Sequence, residues 1–319
     1  MLFPGAGIEV SPWVPPLVAC VISFFTSMGG VSGAFLLLPF QMSFLGYTHP
    51  SVSATNQVFN IVAIPSGVYR YYREGRVVWP LTWVIIIGTL PGVFLGALVR
   101  VAYLPDPAHF KLFAAGVLLY IGLRLVRELL GKKGGPPASA VSEERFVELV
   151  RNYRRGTSTE AAPPAVRVTC FNHKRLAYTF YGETFEVSIW GLCLLSFVVG
   201  VVGGTYGIGG GAIIAPFLVS VFGLPVYTVA GAALMGTFVT SAAAVVFYHA
   251  IAPLYPNVSV APDWTLGALF GFGGMAGMYL GARCQKLVPA HAIKWMLAGI
   301  VVCTAIKYGV EFIGSPRHW

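Results

Sequence analysis

Apolar residues gather in ten runs, five on each side of a polar middle. The first five cover 10–26, 34–45, 51–69, 81–99 and 110–129, and the second five cover 187–202, 212–222, 226–250, 264–282 and 290–313. A helix rises 1.5 Å per residue, so crossing a bilayer takes about 20 predominantly apolar residues. Most of the runs approach that length without a central charge, and they predict membrane helices. The first two runs of each set are short, and a glycine cluster parts them. The first cluster is Met28-Gly29-Gly30-Val31-Ser32-Gly33. The second is Gly203-Gly204-Thr205-Tyr206-Gly207-Ile208-Gly209-Gly210-Gly211. Glycine is costly inside a helix. Such a cluster predicts a break in a membrane helix, tolerated only where protein or a water-filled cavity shields the backbone.

The two sets repeat each other. The run Gly33-Ala34-Phe35-Leu36-Leu37-Leu38-Pro39-Phe40 is echoed by Gly210-Gly211-Ala212-Ile213-Ile214-Ala215-Pro216-Phe217, with Pro216 lying 177 residues after Pro39. Later, Gly88-Thr89-Leu90-Pro91-Gly92-Val93-Phe94-Leu95-Gly96-Ala97 parallels Gly273-Gly274-Met275-Ala276-Gly277-Met278-Tyr279-Leu280-Gly281-Ala282 at a spacing of 185. A longer loop at 251–263 accounts for the difference.

Charge orients each set. Arg70-Tyr71-Tyr72-Arg73-Glu74-Gly75-Arg76 follows the third run, and Lys132 and Lys133 follow the fifth. Cationic loops stay in the cytoplasm. The loop at 251–263 has no Lys or Arg and should lie outside, whereas Arg283 and Lys286 place the next turn inside. Corresponding loops therefore fall on opposite faces, the signature of inverted-topology repeats. The expected fold is an all-α integral membrane protein of two inverted repeats, with about five segments and a glycine-rich helix break in each. The domains are 1–130 (first repeat), 131–187 (a small cytoplasmic α+β insert) and 188–319 (second repeat). The reading places a multi-pass protein in the cell (inner) membrane with both termini extracytoplasmic.

Between the repeats, 131–186 holds nine Lys/Arg and six Asp/Glu, a net +3. Ser142 before Glu143 and Glu144 predicts an N-capped amphipathic helix over 142–155. A polar linker follows at 157–164, and then strands around Asn172-His173-Lys174-Arg175. No cleaved signal peptide is expected, because the first sixteen residues hold four prolines, Glu9 and no Lys or Arg.

Composition agrees with this picture. The chain is 56% hydrophobic and 10% charged, against roughly 25% charged in soluble domains. The net charge of +9 is explained by loop cations, and no base-stacking pattern points to nucleic acid. Five cysteines without a C-x-x-C spacing, three of them inside apolar runs, indicate packing rather than disulfides or zinc. The six scattered histidines show no ligand spacing, so neither a metal nor a cofactor is expected. Gly207-Ile208-Gly209-Gly210-Gly211-Ala212 matches a dinucleotide pattern, but a membrane run precedes it where that fold needs a strand. No phosphate-binding G-x-x-x-x-G-K-[ST] loop and no catalytic triad occurs, and the chain is not expected to be an enzyme.

What remains is binding chemistry. Each glycine cluster precedes an apolar run, so its N–H groups and the following helix dipole favour an anion. In inverted repeats two such sites meet near the midplane. The candidate substrate-binding residues are Gly29, Gly30, Gly33, Gly207, Gly209, Gly210 and Gly211, with Thr55, Asn56, Asn60, Thr237 and Thr240 as flanking donors. Tight packing by small residues and interhelical hydrogen bonding are the alternative uses of these positions. No acid lies centrally in any run, so no buried carboxylate for proton coupling is visible.

The sequence resembles the TauE/SafE sulfite-exporter family of membrane permeases. The resemblance rests on the segment 29–39, the segment 207–216, Ala54-Thr55-Asn56, Leu90-Pro91-Gly92-Val93-Phe94-Leu95-Gly96 with its echo, and the basic loop leading to Trp79. It covers both repeats and not the insert. The family implies transport of a small anion, often sulfur-containing, such as sulfite or an organosulfonate, with members that differ in substrate and direction. Export down the membrane potential, by alternating access of the two repeats, is the expectation for this chain. The chain departs from the family's pattern in its long insert and in Val31-Ser32, where glycine is common. An anion channel, or a receptor signalling through the insert, remains the alternative. The expected partners are a small anion and the lipid bilayer. A homo-oligomer is allowed but not specified.

Overall fold

The computed structural model describes residues 1–28, 31–130, 148, 166–211, 213–285, 288 and 290–314. The first set of apolar runs becomes α1 (Val14–Met28), α2 (Ala34–Ser43), α3 (Ser51–Arg73), α4 (Trp79–Ala102) and α5 (Pro107–Leu130). The second becomes α6 (Ile189–Tyr206), α7 (Ile214–Phe222), α8 (Val226–Ile251), α9 (Trp264–Cys284) and α10 (Ala290–Gly314). Four of them, α4, α6, α8 and α9, are long and apolar enough to cross a membrane among the described residues. Elsewhere β1 (Leu2–Phe3) and β2 (Ile8–Glu9) form a hairpin, and β3 (Val166–Phe171), β4 (Arg175–Phe180) and β5 (Glu183–Ser188) form an antiparallel sheet in that order. The helix expected over 142–155 and the linker at 157–164 lie outside the described residues, residue 148 excepted.

Local chemistry sets the helix ends. Ser188 closes the sheet and caps α6 by accepting from the Gly191 N–H. Asp263 caps α9 through the Leu266 N–H at 2.9 Å, and its other oxygen accepts from Ala6 N in the N-terminal hairpin. Helix α6 stops at Gly207, which is left-handed at φ +83°. A side chain there would be strained and would collide with Ser53. At 1.5 Å per residue α2 and α7 are about 15 Å long, half a hydrocarbon core.

The packing between the two sets of five is regular. Gly273, Gly277 and Gly281 of α9 lie against the main chain at Pro16, Cys20 and Phe24 of α1. Gly88, Gly92 and Gly96 of α4 lie against Cys193, Phe197 and Val201 of α6. Each pair advances by four residues on both helices, so α1 runs parallel to α9 and α4 runs parallel to α6. Without Cβ atoms the backbones approach closely, as small residues permit in membranes. Helix α3 runs parallel to α9, with Gly267 and Gly271 against Val58 and Val62. Helix α4 runs parallel to α8, with Gly236 against Ile85 and the Phe94 and Phe247 rings 4.9 Å apart. The central pair α3 and α8 is antiparallel, with Asn60 beside Ser241 and Tyr71 beside Gly231. The pair α5 and α10 is antiparallel too, with Lys111 bonded to Glu311 and Gly122 against Val302. Exchanging the two sets of five leaves this list of pairs unchanged, and α3 and α5 run opposite to their counterparts.

Candidate functional site

Helices α2 and α7 both begin midway along the α3–α8 pair, and this brings the two glycine clusters together. Asn60 is the junction. Its Nδ2 donates to the Ile208 carbonyl at 3.0 Å and to Ser241 Oγ at 3.1 Å. Its Oδ1 accepts from Ser32 Oγ. One wholly buried amide on α3 thus ties the first cluster, the second cluster and α8.

Around that junction, Ser32 Oγ also accepts from Ala34 N at the start of α2. Gly33 lies against Ser23 Oγ and the Phe59 ring. Asn56, one helical turn from Asn60, accepts from Gln41 Nε2 at 2.7 Å and faces the Ala34 carbonyl. Thr240 Oγ1 accepts from Gly210 N at 3.1 Å and donates to the Gly236 carbonyl at 2.8 Å. Thr237 donates to Ala233 O and packs against Gly209 and Gly211. Gly209 is left-handed at φ +81°, and a Cβ there would sit 2.8 Å from Ser241 Oγ. No hydrogen bond is made by the Gly209 or Gly211 N–H among the described residues.

Of the residues expected from sequence, Gly33, Asn56, Asn60, Gly207, Gly209, Gly210, Gly211, Thr237 and Thr240 gather here. Gly29 and Gly30 lie outside the described residues. Thr55 does not join them. It accepts from Asp263 N at 2.9 Å and meets Tyr47 at 2.9 Å, holding the start of α9 to α3 at another level.

The sequence reading missed the residue with the clearest signal. Gln57 is wholly buried, its Oε1 lies by Gly209, and neither of its amide atoms has a hydrogen-bond partner. An unsatisfied buried amide costs about 1–3 kcal/mol. Its neighbour Gln41 likewise leaves Oε1 unpaired. Two helix N-termini, two backbone N–H groups without a hydrogen bond and an unpartnered amide make a donor-rich centre that holds no carboxylate among the described residues.

The two ends of the α3–α8 pair differ. Past Tyr71, Arg76 is wholly buried. Its Nη1 donates to Gln285 Oε1 at 2.7 Å and its Nη2 to Glu74. Its guanidinium lies 4.6 Å from the Tyr71 ring. The three-stranded sheet docks here. Tyr181 neighbours Glu74 and Arg76, and the Tyr178 hydroxyl meets Thr228 at 3.0 Å. Burial pushes both of these phenols above their ordinary range. At the opposite end, Arg100 is wholly buried near the end of α4, 3.8 Å from the Phe110 ring.

No group of three or more His, Cys, Asp or Glu that would hold a metal occurs among the described residues. The pattern of the family described as "Sulfite exporter TauE/SafE" matches residues 16–308. Comparison with curated proteins and with solved structures returned no match. The family match takes in both sets of helices and the segment between them, so this chain belongs to the TauE/SafE sulfite exporter family of membrane transport proteins.

Proposed function

We propose that the protein exports a small sulfur-containing oxyanion, such as sulfite or an organosulfonate, as an alternating-access carrier. The observation that carries this reading is Gln57, an amide without a partner beside the left-handed Gly209, where Asn60 joins the two clusters. The anion lies between 31–33 and 207–211, within reach of Gln57, Thr237 and the free N–H groups. At this centre the donors are uncharged, so the anion is held there by hydrogen bonds alone. Two inverted repeats then rock about this centre. The repeat reading is supported by the opposed directions of α3 and α8 and by packing pairs that survive exchange of the two sets of five. Leaving a cell that is negative inside favours an anion by about 2.3 kcal/mol per charge per 100 mV, so export needs no proton-carrying acid.

Calorimetric titration of the purified protein with sulfite, sulfoacetate, sulfate, thiosulfate, acetate and chloride tests the cargo, and liposome flux tests movement. Saturable binding and flux of a sulfur oxyanion is the expected result. Gly209→Val should abolish both while membrane insertion stays normal, because the new side chain meets Ser241 and Thr237 in a left-handed backbone. Normal flux in that variant rejects the site, and unsaturable flux in the wild type rejects the carrier.

A further inference from the structure

Arg100 leaves two guanidinium nitrogens without a hydrogen-bond partner, and unlike Gln57 it is charged. It lies three residues before Tyr103, the C-cap of α4, at the end of the bundle away from the Arg70–Arg76 loop. It is wholly buried. Its Nη1 donates to the Leu104 carbonyl, and its plane covers the Phe110 ring. No carboxylate pairs with it among the described residues. Nε and Nη2 have no hydrogen-bond partner. These two nitrogens share one edge of the guanidinium, and that edge presents two parallel N–H donors matched to two oxygens of one oxyanion.

The surroundings connect this edge to the centre. Tyr248 neighbours both Arg100 and Ser53, and its hydroxyl donates to the Gly204 carbonyl in the last turn of α6. Ser53 packs against Gly207. On the other side, the Phe110 ring lies 6.1 Å from Tyr206, whose hydroxyl donates to Phe35 O in the first turn of α2. A buried guanidinium without a counter-charge is strongly disfavoured. Capping Leu104 employs one of its five N–H groups and leaves the charge uncompensated.

We propose that Arg100 is a second anion-binding station, a bidentate oxyanion site that cargo occupies between the glycine-cluster centre and the face at the C-terminal end of α4. The station rests on the carrier reading above. Its cargo is any small anion with two oxygens on one centre, and dianions gain more from it than monoanions.

The test is flux of sulfoacetate, a dianion, and methanesulfonate, a monoanion, through wild type, Arg100→Gln and Arg100→Lys in liposomes. Glutamine keeps a donor for the Leu104 carbonyl and removes the charge. Arg100→Gln should lower kcat/KM about tenfold for the dianion and about threefold for the monoanion, each tenfold step being one unit of log affinity. Detailed balance requires the same loss in both directions. Calorimetric binding at the centre should be unchanged. Arg100→Lys keeps the charge on a single point donor, so it should restore the dianion-to-monoanion ratio while remaining slower than wild type. An equal loss for both anions, or no loss, overturns the station and leaves the central site standing. If Arg100→Gln fails to reconstitute, the ratio in Arg100→Lys decides alone, and a ratio unlike that of wild type overturns the proposal. A wild type that carries neither anion saturably overturns the carrier and the station together.

Discussion

The two ends of the α3–α8 pair each bury an arginine stacked on an aromatic ring, and they treat its charge in opposite ways. At one end Arg76 meets Glu74, which also accepts from Arg70 at 2.7 Å, and Gln285 takes a further donor. Gln285 in turn donates to the Met28 carbonyl at 2.6 Å, so the neutralised arginine is fastened to the end of α1. The insert's sheet covers this end through Tyr178 and Tyr181. At the other end Arg100 has a carbonyl, a ring and, among the described residues, no acid. A compensated arginine is a structural tie, and an uncompensated one is a binding group. On the proposed carrier reading, the second gives cargo a place to pause.

The largest effect separating the two should come from the compensating acid. Glu74→Gln takes its carboxylate away from the buried Arg76 guanidinium, and breaking such a pair costs about 3 kcal/mol. Thermal unfolding of the purified variant should show a clearly lowered Tm. Arg100→Gln removes a charge that no carboxylate pairs with among the described residues, and its Tm should fall less than that of Glu74→Gln. If the two variants lose equal stability, Arg100 is as structural as Arg76 and the contrast between the ends disappears.

Gln57→Leu separates the centre from both ends. Leucine fills nearly the same volume and removes an amide that has no partner. The variant should be more stable by about 1–2 kcal/mol, the desolvation cost of an unsatisfied polar group. It should lose calorimetric anion binding, and any residual flux should keep the wild-type preference for dianions, since Arg100 is untouched. Undiminished binding would move the cargo away from Gly209.

Much of this was legible in the chain. Each of the ten runs falls on a helix, and four of these helices are long and apolar enough to cross a membrane among the described residues. The helix expected to end at the second cluster does so at the left-handed Gly207. Asn60 was legible as a polar residue inside a span. The remainder depended on partners that one segment cannot show. Thr55 and Asn60 are five residues apart, nearly one face but about 7.5 Å along the axis, so Thr55 serves Asp263 instead. Gln57 and Asn56 look alike in the sequence, yet only Asn56 meets Gln41. Arg100 escaped because the fourth apolar run ends at Val99, which placed the arginine in a loop that the helix overruns to Ala102. The N-terminal hairpin is held by Asp263, 257 residues away from Ala6, and no local pattern announces it.

The smallest predicted effect tests whether the ends share one scaffold beneath their different charges. Tyr71 and Tyr248 lie 177 residues apart, the spacing of the glycine–proline repeats. Tyr71 donates to the Ser27 carbonyl at 2.9 Å and Tyr248 to the Gly204 carbonyl at 3.3 Å. Ser27 and Gly204 are also 177 residues apart. Each hydroxyl fastens the helix leading into a glycine cluster, from opposite ends. Deleting one such bond costs about 1 kcal/mol, so Tyr71→Phe and Tyr248→Phe should each lower Tm by a few degrees, slightly more for the shorter Tyr71 bond. Similar losses would show one device used twice, with Glu74 and Arg100 superimposed on it. If only one variant were affected, the equivalence of the ends would fail, and the unpaired charge at Arg100 would then be one of many differences between them.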